Sequence, residues 1–233
     1  MNREYLIECI RAGIKYIPVT LKLTFVVFIV SLVIGLLIAT VRFYKVPFIS
    51  RILSAFVTIY RGIPVILALN IYYLIYLTSY TDVMSFFHLS ANIKNSNPIS
   101  VAYFALILAN SCGISEIIRG AYNGIDKTQF EAGYAIGMNK FMTLRRIIWP
   151  QLLPIVLPNL INMLIGTLKN ANTISVIGIV EIMKGSIVPC SKTYSFIEGY
   201  MAAALIYWAL GFILEILGKF LEKNTIKYRV AKA

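Results

Sequence analysis

Four polar side chains interrupt a long apolar part of the chain, and together they could bind a small carboxylate. Lys169, Asn170, Asn172 and Thr173 supply a cation, two amides and a hydroxyl. A lysine inside a membrane span costs about 2.5–3.5 kcal/mol, so such residues usually face a water-filled cavity or a partner. The alternative is a lysine that extends from the end of a helix toward the interface.

Arg61 and Glu116 are further candidates for the same pathway. Glu116 stands three residues before Arg119, so on a helix the two share one face and can form an ion pair. That structural role is favoured for Glu116 over substrate contact, and interfacial anchoring is favoured for Arg119. Glu181 and Glu198 could meet an ammonium group, but either could equally lie in an outer loop.

A polar segment near the middle of the chain combines helix signals with large apolar side chains. Thr128 is expected to cap a helix that begins at the next residue, and Glu131 suits the positive end of its dipole. Gly137 stands where this helix would stop, and residues 140–148 are expected to form a second short helix. The apolar groups predict either docking into a groove of another protein or contact with lipid headgroups. They are Phe130, Tyr134, Phe141 and Leu144.

The composition indicates an integral membrane protein. The 233-residue chain is 59% apolar and 14% charged, whereas a soluble domain carries about 25% charged residues. Residues 1–18 resemble an amphipathic interfacial segment, and the following apolar run exceeds the core of a signal peptide. One all-α domain over residues 1–233, with about five transmembrane helices, is therefore expected. The predicted spans are 19–41, 53–77, 99–118, 152–168 and 197–217, with a cytoplasmic loop at 128–148.

The basic residues predict the orientation of these spans. With the N-terminus outside and the C-terminus inside, fourteen lysines and arginines lie on the cytoplasmic side and seven outside, with Lys169 in a span. The only histidine, His88, falls in a polar outer loop that also holds Lys94. Three scattered cysteines lack the spacing of a zinc site or a disulfide framework, so no metal is expected. They are Cys9, Cys112 and Cys190.

Several short motifs occur in an order that resembles one family of transport proteins, over roughly residues 15 to 220. The segment Glu131-Ala132-Gly133, followed by Gly137 and by Ile147-Ile148-Trp149-Pro150, resembles the EAA loop of inner-membrane permease subunits of ATP-binding-cassette importers. Gly133 stands where the family usually has alanine, and Trp149 where leucine is usual. Four more motifs resemble the polar-amino-acid branch of the family. They are Thr20-Leu21-Lys22-Leu23-Thr24, Tyr60-Arg61-Gly62-Ile63-Pro64, Ser115-Glu116-Ile117-Ile118-Arg119-Gly120 and Leu168-Lys169-Asn170-Ala171-Asn172-Thr173.

The resemblance implies a type I importer fold of the MetI-like kind, with an N-terminal interfacial helix and a cytoplasmic coupling helix. By the same resemblance, Glu131, Ala132 and Gly137 belong to the coupling helix that sits in a cleft of the ATPase, with Gly133 and Phe141 as further candidates. The candidates for the substrate pathway are Lys169, Asn170, Asn172, Thr173, Arg61 and Glu116.

The implied function is a permease subunit that moves a polar amino acid across a prokaryotic plasma membrane by alternating access. The implied partners are a cytoplasmic ATPase that binds the ATP, an extracellular substrate-binding protein and a second permease copy, identical or homologous. No cofactor on this chain and no nucleic acid are expected. Asn170 is neutral where some family members have aspartate, which disfavours arginine or lysine as substrate.

Two other functions remain as alternatives. A stand-alone channel or carrier would transport without nucleotide and would leave the loop at Glu131 unexplained. A membrane enzyme would need clustered acidic, histidine or lysine side chains at one face, and the ten acidic residues are scattered. The chain has no phosphate-binding loop of the Walker A type and no candidate catalytic triad, so it is expected to be a transport subunit without enzymatic activity.

Overall fold

The computed structural model describes residues 2–86 and 97–230, and these residues form an all-helical membrane domain, as the sequence predicts. Part of the predicted outer loop, with His88 and Lys94, lies outside the described residues. The helices are α1 (Arg3–Ile14), α2 (Ile17–Phe43), α3 (Ile49–Arg61), α4 (Val65–Phe86), α5 (Ile99–Asn123), α6 (Lys127–Ala135), α7 (Lys140–Thr143), α8 (Trp149–Asn170), α9 (Ile182–Ile187), α10 (Cys190–Thr193) and α11 (Phe196–Val230). A π-helical turn, Leu144–Ile148, joins α7 to α8, and a 3₁₀ helix, Ala171–Ile177, follows α8.

Helices long and apolar enough to cross a bilayer account for most of the described chain. Four qualify by themselves, and the count rises to five if α3 and α4 are taken together as one span. The four are α2, α5, α11 and a continuous helical stretch from Lys140 to Ile177. Their apolar outer faces are exposed in the single chain, as lipid-facing surfaces are.

The second predicted span, residues 53–77, is not one helix. It breaks after Arg61, and α3 meets α4 at an angle of 102°. Pro64 explains why a break occurs here, because proline cannot donate the backbone hydrogen bond that a continuing helix needs. Helix α3 is itself two-sided, since it buries Val57 and Tyr60 and leaves Ile52 and Ile59 exposed on its other side.

Helix α5 is the centre of the bundle and packs most extensively against α2. The Ser31 hydroxyl of α2 donates to the carbonyl of Ile107, 3.1 Å away. Gly35 makes this approach possible, because a Cβ there would lie 2.8 Å from Ile114 Cγ2. The 3₁₀ helix that follows α8 contributes Ala171, Ile174 and Ile177 to the core around α5.

The N-terminal helix α1 packs against α9 and α11, so it belongs to the body of the protein. Its Cys9 Sγ lies 3.4 Å from Cys190 Sγ, and both thiols are buried. Their spacing along the chain gives no hint of this proximity, because 181 positions separate them. The third thiol, Cys112, lies apart in the packing between α3, α4 and α5.

Candidate coupling segment and substrate pathway

Helix α6, which holds the Glu131 motif, begins at a capped turn. Asp126 is extended, and its side chain accepts the backbone N–H of Thr128 at 3.0 Å. That hydrogen bond to the ionised form holds the pKa of the Asp126 carboxyl below its ordinary value. The prediction that Thr128 caps the helix is therefore wrong by two residues, because an aspartate with extended backbone already stands before it.

The same helix ends at Ala135, and Gly137 follows its C-cap, close to where the sequence predicts that the helix stops. Gly137 has a φ of +78°, its N–H donates to the carbonyl of Tyr134, and the N–H of Met138 donates to the carbonyl of Gly133, both at 3.0 Å. These two bonds form a Schellman motif, which satisfies the last carbonyls of the helix. A Cβ at Gly137 would touch no other atom within 4 Å, so the backbone conformation alone favours glycine here.

Two contacts hold α6 against the helical segments that follow it, one with α7 and one with α8. A Cβ at Gly133 would lie 2.6 Å from Thr143 Cγ2, so the glycine lets the two helices approach closely. Gln151 Nε2 donates to Gln129 Oε1 at 3.1 Å. The threonine at 143 is thus a physical reason for glycine at 133, where the family that this segment resembles usually has alanine.

The apolar side chains of the segment divide into an inward and an outward group. Phe130 and Leu144 pack into the bundle, and the Phe130 ring lies 5.6 Å from that of Phe43. Tyr134 and Phe141 point outward, Phe141 with 71% of its surface exposed. Ile136, which the sequence reasoning missed, is 70% exposed beside them. The exposed residues among the predicted coupling candidates are Glu131, Ala132, Gly137 and Phe141.

The second short helix predicted at 140–148 is not separate, because it continues into α8 without a loop. Pro150 cannot donate to the carbonyl four residues earlier, and its ring would crowd that carbonyl. The chain responds with the π-helical turn, in which the Trp149 N–H donates to the carbonyl of Leu144. Helical structure therefore runs unbroken from Lys140 to Asn170.

Lys169 lies at the far end of this helix, within the span. Its side chain and that of Asn170 are exposed, whereas those of Asn172 and Thr173 are half-buried. The Thr173 hydroxyl donates to the carbonyl of Asn170 at 2.8 Å. Because α8 changes into the tighter 3₁₀ helix at Ala171, the cluster lies at a discontinuity inside the membrane segment.

One face of α8 is polar over several turns. Asn159, Asn162 and Lys169 are exposed, and a Cβ at Gly166 would meet nothing within 4 Å. The spacings of three, four and three residues keep these positions on one side of a helix. In a single copy of the chain this polar face is therefore open.

Arg61 and Glu116 lie in a separate cluster of charges. Glu116 Oε1 accepts from Arg42 Nη1 at 2.5 Å, and Oε2 accepts from Arg119 Nη2 at 2.7 Å. Arg61 Nη1 lies 3.8 Å from the same carboxylate. Arg42 is the member that the sequence reasoning missed, since it stands 74 positions from Glu116. Among the described residues, no hydrogen bond or ion pair joins this cluster to Lys169.

The two acidic candidates for an ammonium group have structural partners. Glu181 is buried, accepts the N–H of Met183 and of Lys184 at the start of α9, and accepts from the Tyr207 hydroxyl at 2.5 Å. Glu198 accepts the backbone N–H of Asn2 at 2.8 Å. These contacts tie the N-terminal helix and α9 to α11.

Comparisons with known proteins agree with this arrangement. Residues 31–227 match the family described as binding-protein-dependent transport system inner membrane component. The chain is 29% identical over 211 residues to a probable amino-acid ABC transporter permease protein, PatM, of Vibrio harveyi, with 91% of this chain and 90% of that protein covered. It is 31% identical over 208 residues to a putative glutamine transport system permease protein, GlnP, of Rickettsia typhi, with 89% and 90% covered.

A solved structure shares the fold along nearly its whole length. It is the crystal structure of an amino acid ABC transporter with histidines, which superposes with a TM-score of 0.80 at 26% identity. The match covers 96% of this chain and 99% of that chain.

Proposed function

Since the chain belongs to the family of binding-protein-dependent transport system inner membrane components, we propose that it works as one of two permease subunits that together enclose the path of a polar amino acid. The family implies two further partners, an ATPase and a substrate-binding protein. The substrate site is assigned to the polar cluster at Lys169, and the ATPase seat to α6 with Gly137 and Phe141.

The observation that carries the proposal is the open polar face of α8. Lysine and asparagine side chains inside a membrane span are rare, and they face a bundle interior or an aqueous cavity. In one copy of the chain, Asn159, Asn162 and Lys169 are exposed along a single stripe. A second permease copy that covers this stripe across a narrow aqueous gap would give these residues a suitable environment.

The chemistry of the cluster suits an amino acid. The Lys169 ammonium and the amides of Asn170 and Asn172 can donate to a carboxylate. The side-chain amide oxygens of Asn170 and Asn172 can in turn accept from an ammonium group. With neutral Asn170, the substrate is a neutral amide, acidic or sulfur-containing amino acid.

The proposed orientation has the N-terminus outside and α6 in the cytoplasm of a prokaryotic cell. This orientation brings the basic residues around α6 to the inner side, as the positive-inside rule requires. It also presents Tyr134, Ile136 and Phe141, which are exposed apolar groups on a polar segment, to a cytoplasmic ATPase.

Reconstitution of the permease with its ATPase and its binding protein tests the proposal. We expect ATP hydrolysis to rise when the binding protein is loaded with one polar amino acid, and uptake into vesicles to require ATP. Uptake that proceeds equally without nucleotide would instead indicate a stand-alone carrier. Omission of the permease is the control that separates its contribution from basal hydrolysis by the ATPase.

Replacement of Gly137 by valine is expected to reduce ATPase capture by about 5- to 30-fold, because a branched residue at positive φ costs about 1–2 kcal/mol and displaces the helix end. The measurement is co-purification of the ATPase with the tagged permease from membranes. Glu131→Lys, which reverses an exposed charge on α6, is expected to lose capture in the same assay.

The matched control is Gly137→Asn, because asparagine accepts the left-handed conformation. It is expected to retain capture, and all three variants should insert into membranes at the level of the unaltered protein. If the valine and asparagine variants capture the ATPase equally well, α6 and its Gly137 terminus are not part of the ATPase-binding site.

A further inference from the structure

The structure has a cavity of about 670 Å³ at the boundary between α2 and the segment that carries Phe141. Its inner wall is Leu36 and Leu37 on the last turns of α2, and Leu37 is 61% exposed. This wall continues the lipid-facing surface of a membrane span. The groove is therefore open to the hydrocarbon at one end and to the polar segment at the other.

The polar end of the groove is positively charged. Lys140 and Arg145 line it, both are exposed, and no described carboxylate forms an ion pair with either of them. The acidic residues nearest in sequence, Glu131 and Asp126, do not line the cavity. Two unpaired cations above an apolar wall are complementary to a molecule with an anionic head and an apolar tail.

Two aromatic side chains also line the groove. They are Tyr44, the C-cap residue of α2, and Trp149, the first residue of α8. Tyrosine and tryptophan concentrate at the depth of lipid headgroups, where their rings lie in the apolar layer and their polar atoms meet water. The groove therefore combines an apolar wall, two aromatic rings and two cations, which suit the tail, the interfacial region and the phosphate of a phospholipid.

We propose that this groove binds one anionic phospholipid, with its phosphate at Lys140 and Arg145 and an acyl chain along Leu36 and Leu37. The proposal does not require the transport assignment, because it needs only a membrane that contains anionic lipid, although Phe141 of the proposed ATPase seat also lines the groove. Its consequence is that bound lipid steadies α7 and the π-helical turn, the elements on which α6 packs. The expected preference over a zwitterionic lipid is about fivefold for each cation and about 30-fold for the pair.

Tryptophan fluorescence with brominated lipids tests the site directly. The chain has two tryptophans, and Trp208→Phe leaves only Trp149, which lines the groove. This protein is placed in phosphatidylcholine vesicles that contain a small fraction of brominated phosphatidylglycerol or of brominated phosphatidylcholine. We expect the anionic quencher to act on Trp149 at about 30-fold lower concentration.

Matched variants distinguish specific binding in the groove from nonspecific attraction of anionic lipid to exposed basic residues. Arg145→Gln with Lys140→Gln should abolish the preference, Arg145→Gln alone should lower it about fivefold, and Arg146→Gln should retain it. Arg146 is the adjacent exposed arginine outside the groove. Trp208, 68% exposed on α11, reports random contact in the Trp149→Phe protein and should show no preference.

Three results would overturn the proposal. One is equal quenching of Trp149 by the two lipids. Another is a preference that persists after both cations are replaced. The third is protection of Trp149 from both quenchers while Trp208 is quenched, which would show that protein covers the groove.

Discussion

Lys169→Gln is expected to reduce substrate uptake by about 10- to 100-fold. A hydrogen bond from a charged group contributes about 1.5–3 kcal/mol, and glutamine keeps a donor but removes the cation proposed to bind the carboxylate. Uptake by the reconstituted complex measures the effect, with the binding protein loaded at saturation. Because Lys169 lies at the other end of α8 from the proposed ATPase seat, co-purification of the ATPase should be unchanged.

Two control variants make this result specific. Lys169→Arg retains the cation and should keep a substantial part of the uptake. Lys223→Gln makes the same chemical change at an exposed position near the end of α11 and should leave uptake unaltered. If Lys169→Gln transports within twofold of the unaltered protein, Lys169 is an interfacial residue and the pathway lies elsewhere.

Glu116→Ala is expected to lower the free energy of unfolding by about 3 kcal/mol, the lower end for breaking a buried ion pair. The reason is that the Arg42 side chain, only 8% exposed, would lose its carboxylate while it stays inside the bundle. Unfolding of the detergent-purified protein, followed by intrinsic fluorescence against denaturant or temperature, gives the measurement.

Arg61→Gln provides the comparison, because the Arg61 side chain approaches the same carboxylate from the exposed side of the cluster. Its guanidinium is 53% exposed and 3.8 Å from Glu116, so its loss should change stability by less than about 1 kcal/mol. A loss of stability as large for Arg61→Gln as for Glu116→Ala would show that the cluster does not depend on burial of Arg42.

The sequence predicts those features that depend on neighbours along the chain. Gly137 stands where α6 stops, and its positive φ depends only on the adjacent turn. Hydropathy does not predict how far α11 extends, because residues that favour helix need not be apolar. Its apolar part ends near Leu217, but the Glu and Lys residues that follow favour helix, so the helix continues to Val230.

The features that the sequence does not predict depend on packing between distant segments. Arg42 reaches Glu116 only because α2 and α5 lie side by side. A proline predicts only that some bend occurs, and the 102° angle between α3 and α4 is evident only in the folded chain. The open polar face of α8 emerges once the exposed side of that helix is known, although Asn159, Asn162 and Lys169 are evident in the printed sequence.

The continuous helix from Lys140 to Asn170 is long enough that a small change in its tilt displaces its far end by several ångströms. Thirty residue steps at about 1.5 Å each make it about 45 Å long, so a tilt of about 10° at its Lys140 end swings Lys169 through about 8 Å. That displacement exceeds the width of an amino acid's backbone. If α6 binds the ATPase as proposed, a small tilt of this helix would move Lys169 without a relay of side-chain rearrangements.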